Sequence, residues 1–118
     1  MEKWLEQWKE GSRYQEIWIE GDGDEQALMA LINGDRGWLM YLREEGDAGF
    51  SSRNPDDQGT EGQLEFLLDN GQMDDYPVAW TLPLEQVKQA LDYFEHYRKP
   101  PAFITWHNDG DDGVSLNE

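Results

Sequence analysis

Between Leu84 and Phe94 the apolar positions fall three and four residues apart. Leu84, Val87, Leu91 and Phe94 share one face, with Ala90 and Tyr97 beside them. This stripe predicts an amphipathic helix over about 83–98. Pro83 suits the first helical position, where its missing N–H costs nothing. Glu85 puts negative charge in the first turn, while His96, Arg98 and Lys99 put positive charge at the other end. Pro100 and Pro101 forbid continuation. From Ala102 to Trp106 the chain turns β-branched and aromatic, which predicts a strand paired into a sheet that the helix covers.

Elsewhere a period of two dominates. From Arg13 to Glu20, Tyr14, Glu16, Trp18 and Glu20 alternate with Gln15, Ile17 and Ile19, a strand with one partly polar face. Such a strand belongs at an edge or on a half-solvated sheet. Gly37–Glu44 reads as a central strand, Gly46-Asp47 as a turn and 49–52 as the returning strand of a hairpin. Gln63–Asp69 is a further strand, Asn70-Gly71 the clearest tight-turn signal, and Gln72–Asp75 its return. Trp18, Trp38, Tyr41 and Phe66 lie in these runs and are expected in the core.

Two further helices are predicted. Trp4, Leu5 and Trp8 share a face within Met1–Glu10, a helix too short to stand without docking. After a turn at Gly21–Gly23, Asp24 suits an N-cap for a helix over Glu25–Ile32, with Leu28, Leu31 and Ile32 inward and Asn33-Gly34 closing it. The expected fold class is therefore α+β: an antiparallel sheet carrying a main helix at about 83–98 and a shorter one at about 24–33. At 118 residues the chain makes a single domain, 1–118, with an acidic tail expected to fray from about 109.

Composition narrows the chemistry. Hydrophobic content is only 37%, yet six Trp, five Tyr and four Phe carry large buried areas each, which no disordered acidic segment would hold. Nine basic residues against 26 acidic ones leave a formal charge of −17. That field disfavours direct binding to nucleic acid and favours a cationic protein partner, unless it serves solubility alone. Without cysteine there is no disulfide framework, thiolate metal site or cysteine nucleophile. The N-terminus lacks the apolar segment of a signal peptide, and no run approaches a membrane span. A soluble cytoplasmic protein is the expectation.

Catalysis finds little support. His96 and His107 are the two histidines, and neither stands in a nucleophile–base motif or an H-x-E with C-x-x-C pattern. The pairs Asp56-Asp57, Asp74-Asp75 and Asp111-Asp112 read first as solvated charge, since nothing indicates the apolar enclosure that would raise one for acid work. The segment HNDGDDGVSLNE misplaces the first ligand and the glycine of a calcium loop, so no metal site is expected. The glycines form neither dinucleotide nor P-loop motifs, so no cofactor is expected.

Taken in order, Leu82, Pro83, Val87, Ala90, Phe94, Pro100, Pro101 and Trp106 resemble immunity protein family 1, small α+β proteins encoded beside bacterial polymorphic toxins. The resemblance implies a non-enzymatic binding module whose partner is a cognate toxin domain, often a nucleic-acid deaminase. Nucleic-acid-acting toxins carry basic grooves, which an acidic inhibitor can occupy. Alternatives are an acidic nucleic-acid mimic or regulator of another basic protein, and a small hydrolase working through carboxylates. The candidate contact residues are the turn-borne carboxylates Asp56, Asp57, Glu61, Asp74 and Asp75, with Tyr76 and Trp106 as apolar anchors.

Overall fold

Residues 3–20, 26–44, 46–57, 59–110 and 112–116 are described by the structure, a computed structural model. Eight strands and two α-helices follow in the order α1 (Lys3–Gln7), β1 (Tyr14–Glu20), β2 (Ala27–Asn33), β3 (Arg36–Leu42), β4 (Phe50–Arg53), β5 (Gln63–Leu67), β6 (Met73–Pro77), β7 (Leu82–Pro83), α2 (Leu84–Tyr97) and β8 (Thr105–Asn108). A 3-10 turn, Val78–Trp80, joins β6 to β7. The main sheet runs β1-β2-β3-β4-β8, with β7 added to β3, and β5-β6 form a separate hairpin. Every pairing is antiparallel. The α+β class and the main helix stand as the sequence predicts.

The shorter helix does not lie at 24–33. Residues 27–33 are β2, an inner strand with all seven residues buried. Leu28, Ala30 and Ile32 face α2, while Met29 and Leu31 join Trp38 and Phe66 under the β5-β6 hairpin. With both faces covered, β2 loses the period-two signature, and a short continuous apolar run cannot be told from a buried helix. Asn33-Gly34 is accordingly a hairpin corner. Asn33 pairs with Arg36, so Gly34-Asp35 is a two-residue loop, with φ of +61° at Gly34. The turn and cap expected at Gly21–Asp24 lie outside the described residues.

The short helix is α1, at the N-terminus. Trp4 drops into the main core, its backbone N–H donating to Glu95 Oε1 at 2.8 Å and its indole to Asp92 on α2. Leu5, expected on the same face, is exposed. Gln7 covers the free edge of β1 with its side-chain amide, accepting from Trp18 N at 3.0 Å and donating to Trp18 O at 2.6 Å.

The α2 stripe buries Val87, Ala90, Leu91 and Phe94, while Tyr97 stays 63% exposed. Pro83 is the N-cap rather than the first helical residue, because Leu82-Pro83 pairs with Arg36-Gly37 before the helix begins. Gly37 sets the distance between the layers: a Cβ there would lie 2.8 Å from Val87 Cγ2. The strand expected at Ala102–Trp106 begins only at Thr105. Residues 102–104 are instead the turn that follows Pro101, with Ile104 buried and Phe103 exposed.

Two mutations check this packing. Phe94→Ala should destabilise by about 3–5 kcal/mol, as truncation of a core aromatic does. Gly37→Ala should cost about 1–3 kcal/mol by overpacking, and combining it with Val87→Ala should cost less than the two single changes summed. Urea midpoints measure both. A Gly37→Ala midpoint equal to the parent's would mean that the helix does not rest on this glycine.

Candidate functional site

With α2 on one face of the sheet, the opposite face belongs to the β5-β6 hairpin. Phe66, fully buried, anchors it over Met29, Leu31 and Trp38. Asn33 Nδ2 donates to Glu65 O at 2.8 Å, and Asp69 N donates to Glu16 Oε1 at 3.0 Å, fixing the hairpin along β1 and β2. Tyr76 stacks on Trp38, ring centroids 4.2 Å apart and 13° from parallel, and Trp80 stands beside it at 6.4 Å. The Arg53 guanidinium lies 3.6 Å from the Trp80 ring centroid, and burial pulls its pKa down against the opposing charge of Asp109.

A polar cluster borders this aromatic stack. Ser51 Oγ donates to Asp109 Oδ1 at 3.1 Å, Arg53 Nη1 donates to Ser51 Oγ at 2.8 Å, and His107 Nε2 lies 3.6 Å from Asp109 Oδ1. A serine, a histidine and an aspartate thus meet without forming a relay. Hydroxyl and imidazole both address the carboxylate, whereas nucleophilic catalysis needs the hydroxyl to donate to the imidazole. Among the described residues, no group of three His, Cys, Asp or Glu could hold a metal ion. Nor is any described helix long and apolar enough to cross a membrane.

The expected contact residues separate into three settings. Asp56 and Glu61 are exposed on the loop before β5, which runs beside the hairpin base through Val78 N donating to Gly62 O at 3.1 Å. Asp57 also lies there, but its Oδ1 accepts from Gly59 N at 2.8 Å and Thr60 N at 2.7 Å. The Thr60 bond leads in holding its carboxyl below the ordinary range, so Asp57 also staples the turn.

Asp74 and Asp75 point to opposite faces of the hairpin. Asp75 sits on the outer face, directly across from Glu65. Asp74 sits on the inner face across from Phe66, with Gln72 Nε2 donating to it at 2.7 Å and the Tyr76 hydroxyl 3.5 Å away. Partial burial, and then the Asp74 charge, raise the Tyr76 phenol above its usual value. Trp106, the second expected anchor, lies on the far side from these groups. It is 8% exposed within the main core, and its indole N–H donates to Pro101 O at 3.0 Å. Trp18, expected in the core, is the one that reaches solvent, 37% exposed. The carboxylates flanking it on its own face of β1, Glu16 and Glu20, were the available signal.

Arginine is spent internally. Arg13 and Arg36 bond to Asn33 and Thr81, and Arg98 donates to Glu20 O. Arg53 and Arg43 meet carboxylates. Arg43 holds Asp47 in a two-pronged pair, both contacts at 2.9 Å, and reaches Asp112 at 2.8 Å. Asn108 Nδ2 also donates to Asp112 at 2.7 Å, and Leu116 packs on the main core. Asn108 first and Arg43 second bring the Asp112 carboxyl from 3.8 down to about 2. Arg43 likewise holds Asp47 well below the carboxylate range.

Because both folded pKa values are depressed, this tie contributes fully above the unfolded pKa and is lost as pH falls through the folded one. It should therefore hold from neutrality to about pH 4 and loosen towards pH 2. In Arg43→Gln the Asp112 carboxyl should titrate higher, with the Asn108 part of the shift retained. Carboxyl titration by NMR reads both, and an unmoved Asp112 would remove Arg43 from the tie.

A family model, Immunity protein Imm1, matches residues 3–108, from α1 through the last strand. A search of curated proteins finds no match to the chain. The matched span contains both covers of the sheet and the carboxylate-bearing hairpin. The chain therefore belongs to the Imm1 family of immunity proteins.

Proposed function

We propose that this protein neutralises a cognate bacterial toxin by binding it stoichiometrically in the cytoplasm, blocking the active site or substrate groove of a basic, nucleic-acid-acting enzyme such as a deaminase. The observation carrying this reading is negative charge placed where folding does not use it. Glu65 and Asp75 stand directly opposite each other on the outer hairpin face, a like-charge pair that costs stability. Asp56 and Glu61 are exposed close by. With Arg13 and Arg36 bonded to neutral groups, these carboxylates keep a field that would speed encounter with a cationic groove. Asp56, Asp57, Glu61, Asp74 and Asp75 form the proposed rim, and Tyr76, half-buried on Trp38, is the aromatic within it.

The partner to test is a cognate toxin domain, sought in the neighbouring gene where the family resemblance implies it. Added to that toxin, the protein should inhibit with a sharp endpoint at a fixed molar ratio. Time-dependent inactivation by sub-stoichiometric amounts would mean that it is an enzyme. Asp74→Lys/Asp75→Lys and Asp56→Lys/Asp57→Lys should each slow association by about tenfold or more at low salt and flatten its salt dependence. A thermal melt controls for the turn bonds lost with Asp57. Association rates unchanged in both double mutants would assign the contact elsewhere and leave the charge to solubility.

A further inference from the structure

The hairpin covers only part of the sheet face turned away from α2. Along its margin runs one cross-strand row, with Trp18 opposite Met29, Met29 opposite Met40, and Met40 opposite Ser51. Trp18 and Met40 reach solvent, and Met29 closes the floor between them. The hairpin rises beside this row as a wall. Leu68 packs into the same small core and Asp74 shares the inner face with Phe66. The result is a step in the surface with an aromatic and thioether floor, one carboxylate beside Trp18 on the sheet and another on the inner face of the hairpin.

Glu16 and Asp74 are those carboxylates. Glu16 accepts from the Trp18 indole and from Asp69 N, and Asp74 from Gln72 and Tyr76. All four donors are neutral, and among the described residues neither carboxylate has a basic partner. Flexible thioethers adapt to varied shapes, and an exposed indole attracts a cation over its face. A second aromatic group, half-buried Tyr93 with exposed Tyr97 and Phe103, surrounds a groove on the opposite side of the sheet whose one lining carboxylate, Asp92, already accepts from the Trp4 indole.

We infer that the step receives an arginine- or lysine-bearing segment of the toxin, its stem lying along Trp18 and Met40 and its charged end between Glu16 and Asp74. This rests on the toxin-binding reading and makes the hairpin–sheet junction the centre of the contact, with the loop carboxylates as its rim. Carboxylates alone would attract any cation. The apolar floor gives a long cationic side chain area to desolvate, which separates anchoring from steering.

Binding to that cognate toxin domain, measured by surface plasmon resonance, tests the inference. Trp18→Ala removes a partly exposed side chain and should weaken affinity about 30-fold or more, mainly through faster dissociation. Trp18→Phe should recover most of that loss, because an aromatic face remains. Asp74→Lys should both slow association and speed dissociation. Tyr97→Ala/Phe103→Ala, on the far side, should bind within about threefold of the parent, as surfaces outside a contact do. In the 15N-labelled protein, the Trp18 indole signal should shift on binding while those of buried Trp4 and Trp106 hold. Should the parent bind tightly and Trp18→Ala bind equally well, the step is not the contact, although the toxin-binding reading survives. Should the parent not bind at all, that reading fails and this inference with it.

Discussion

The rest of the structure depends on burying β2 on both faces. A strand reading Ala-Leu-Met-Ala-Leu-Ile-Asn has no polar face to give to water, so the sheet needs two covers. The α2 helix supplies one, held close by the missing side chain at Gly37. The β5-β6 hairpin supplies the other through Phe66, Leu64 and Tyr76. A two-stranded hairpin is too narrow to cover five strands, and its margin becomes a step. The surface feature that suits binding thus follows from how the core is closed.

Charge is distributed in keeping with this. Asn33, Thr81 and the Glu20 carbonyl take arginine donors, and these bonds tie distant segments together without neutralising a carboxylate. Arg53 and Arg43 do meet carboxylates, and Arg43 fastens the chain after β8 to the β3-β4 turn. The acidic excess therefore stays on the outside, concentrated where the hairpin and its preceding loop project. Self-repulsion opposes folding, so tolerance of Glu65 opposite Asp75 is informative: removing that pair would relieve strain at no cost to the core.

Part of the surface around the hairpin could be read along the chain. Turn chemistry around Asp56, Asp57 and Asn70-Gly71 correctly put carboxylates on exposed corners. Aromatic fates could not be read the same way. Trp18 and Trp106 are both tryptophans in strands with alternating neighbours, yet one faces solvent and the other fills the core. The difference lies in which face each strand turns to α2: Glu16 and Glu20 hint at it for Trp18, but the phase is fixed by cross-strand register.

By itself the sequence determined the α+β class, the extent of α2, most of the strands, the hairpin corner at Asn70-Gly71, and an acidic surface. These follow from local periodicity and turn residues, which act over a few positions. Only the tertiary structure decided that 27–33 is a strand rather than a second short helix beside the one expected and found at the N-terminus, and that Asp74 turns inward while Asp75 turns out. Each of those outcomes depends on what covers a face. An apolar run of seven residues is stable as helix or strand when buried, and here the choice falls to partners distant in sequence, β1 and β3 at its edges and α2 and Phe66 on its faces.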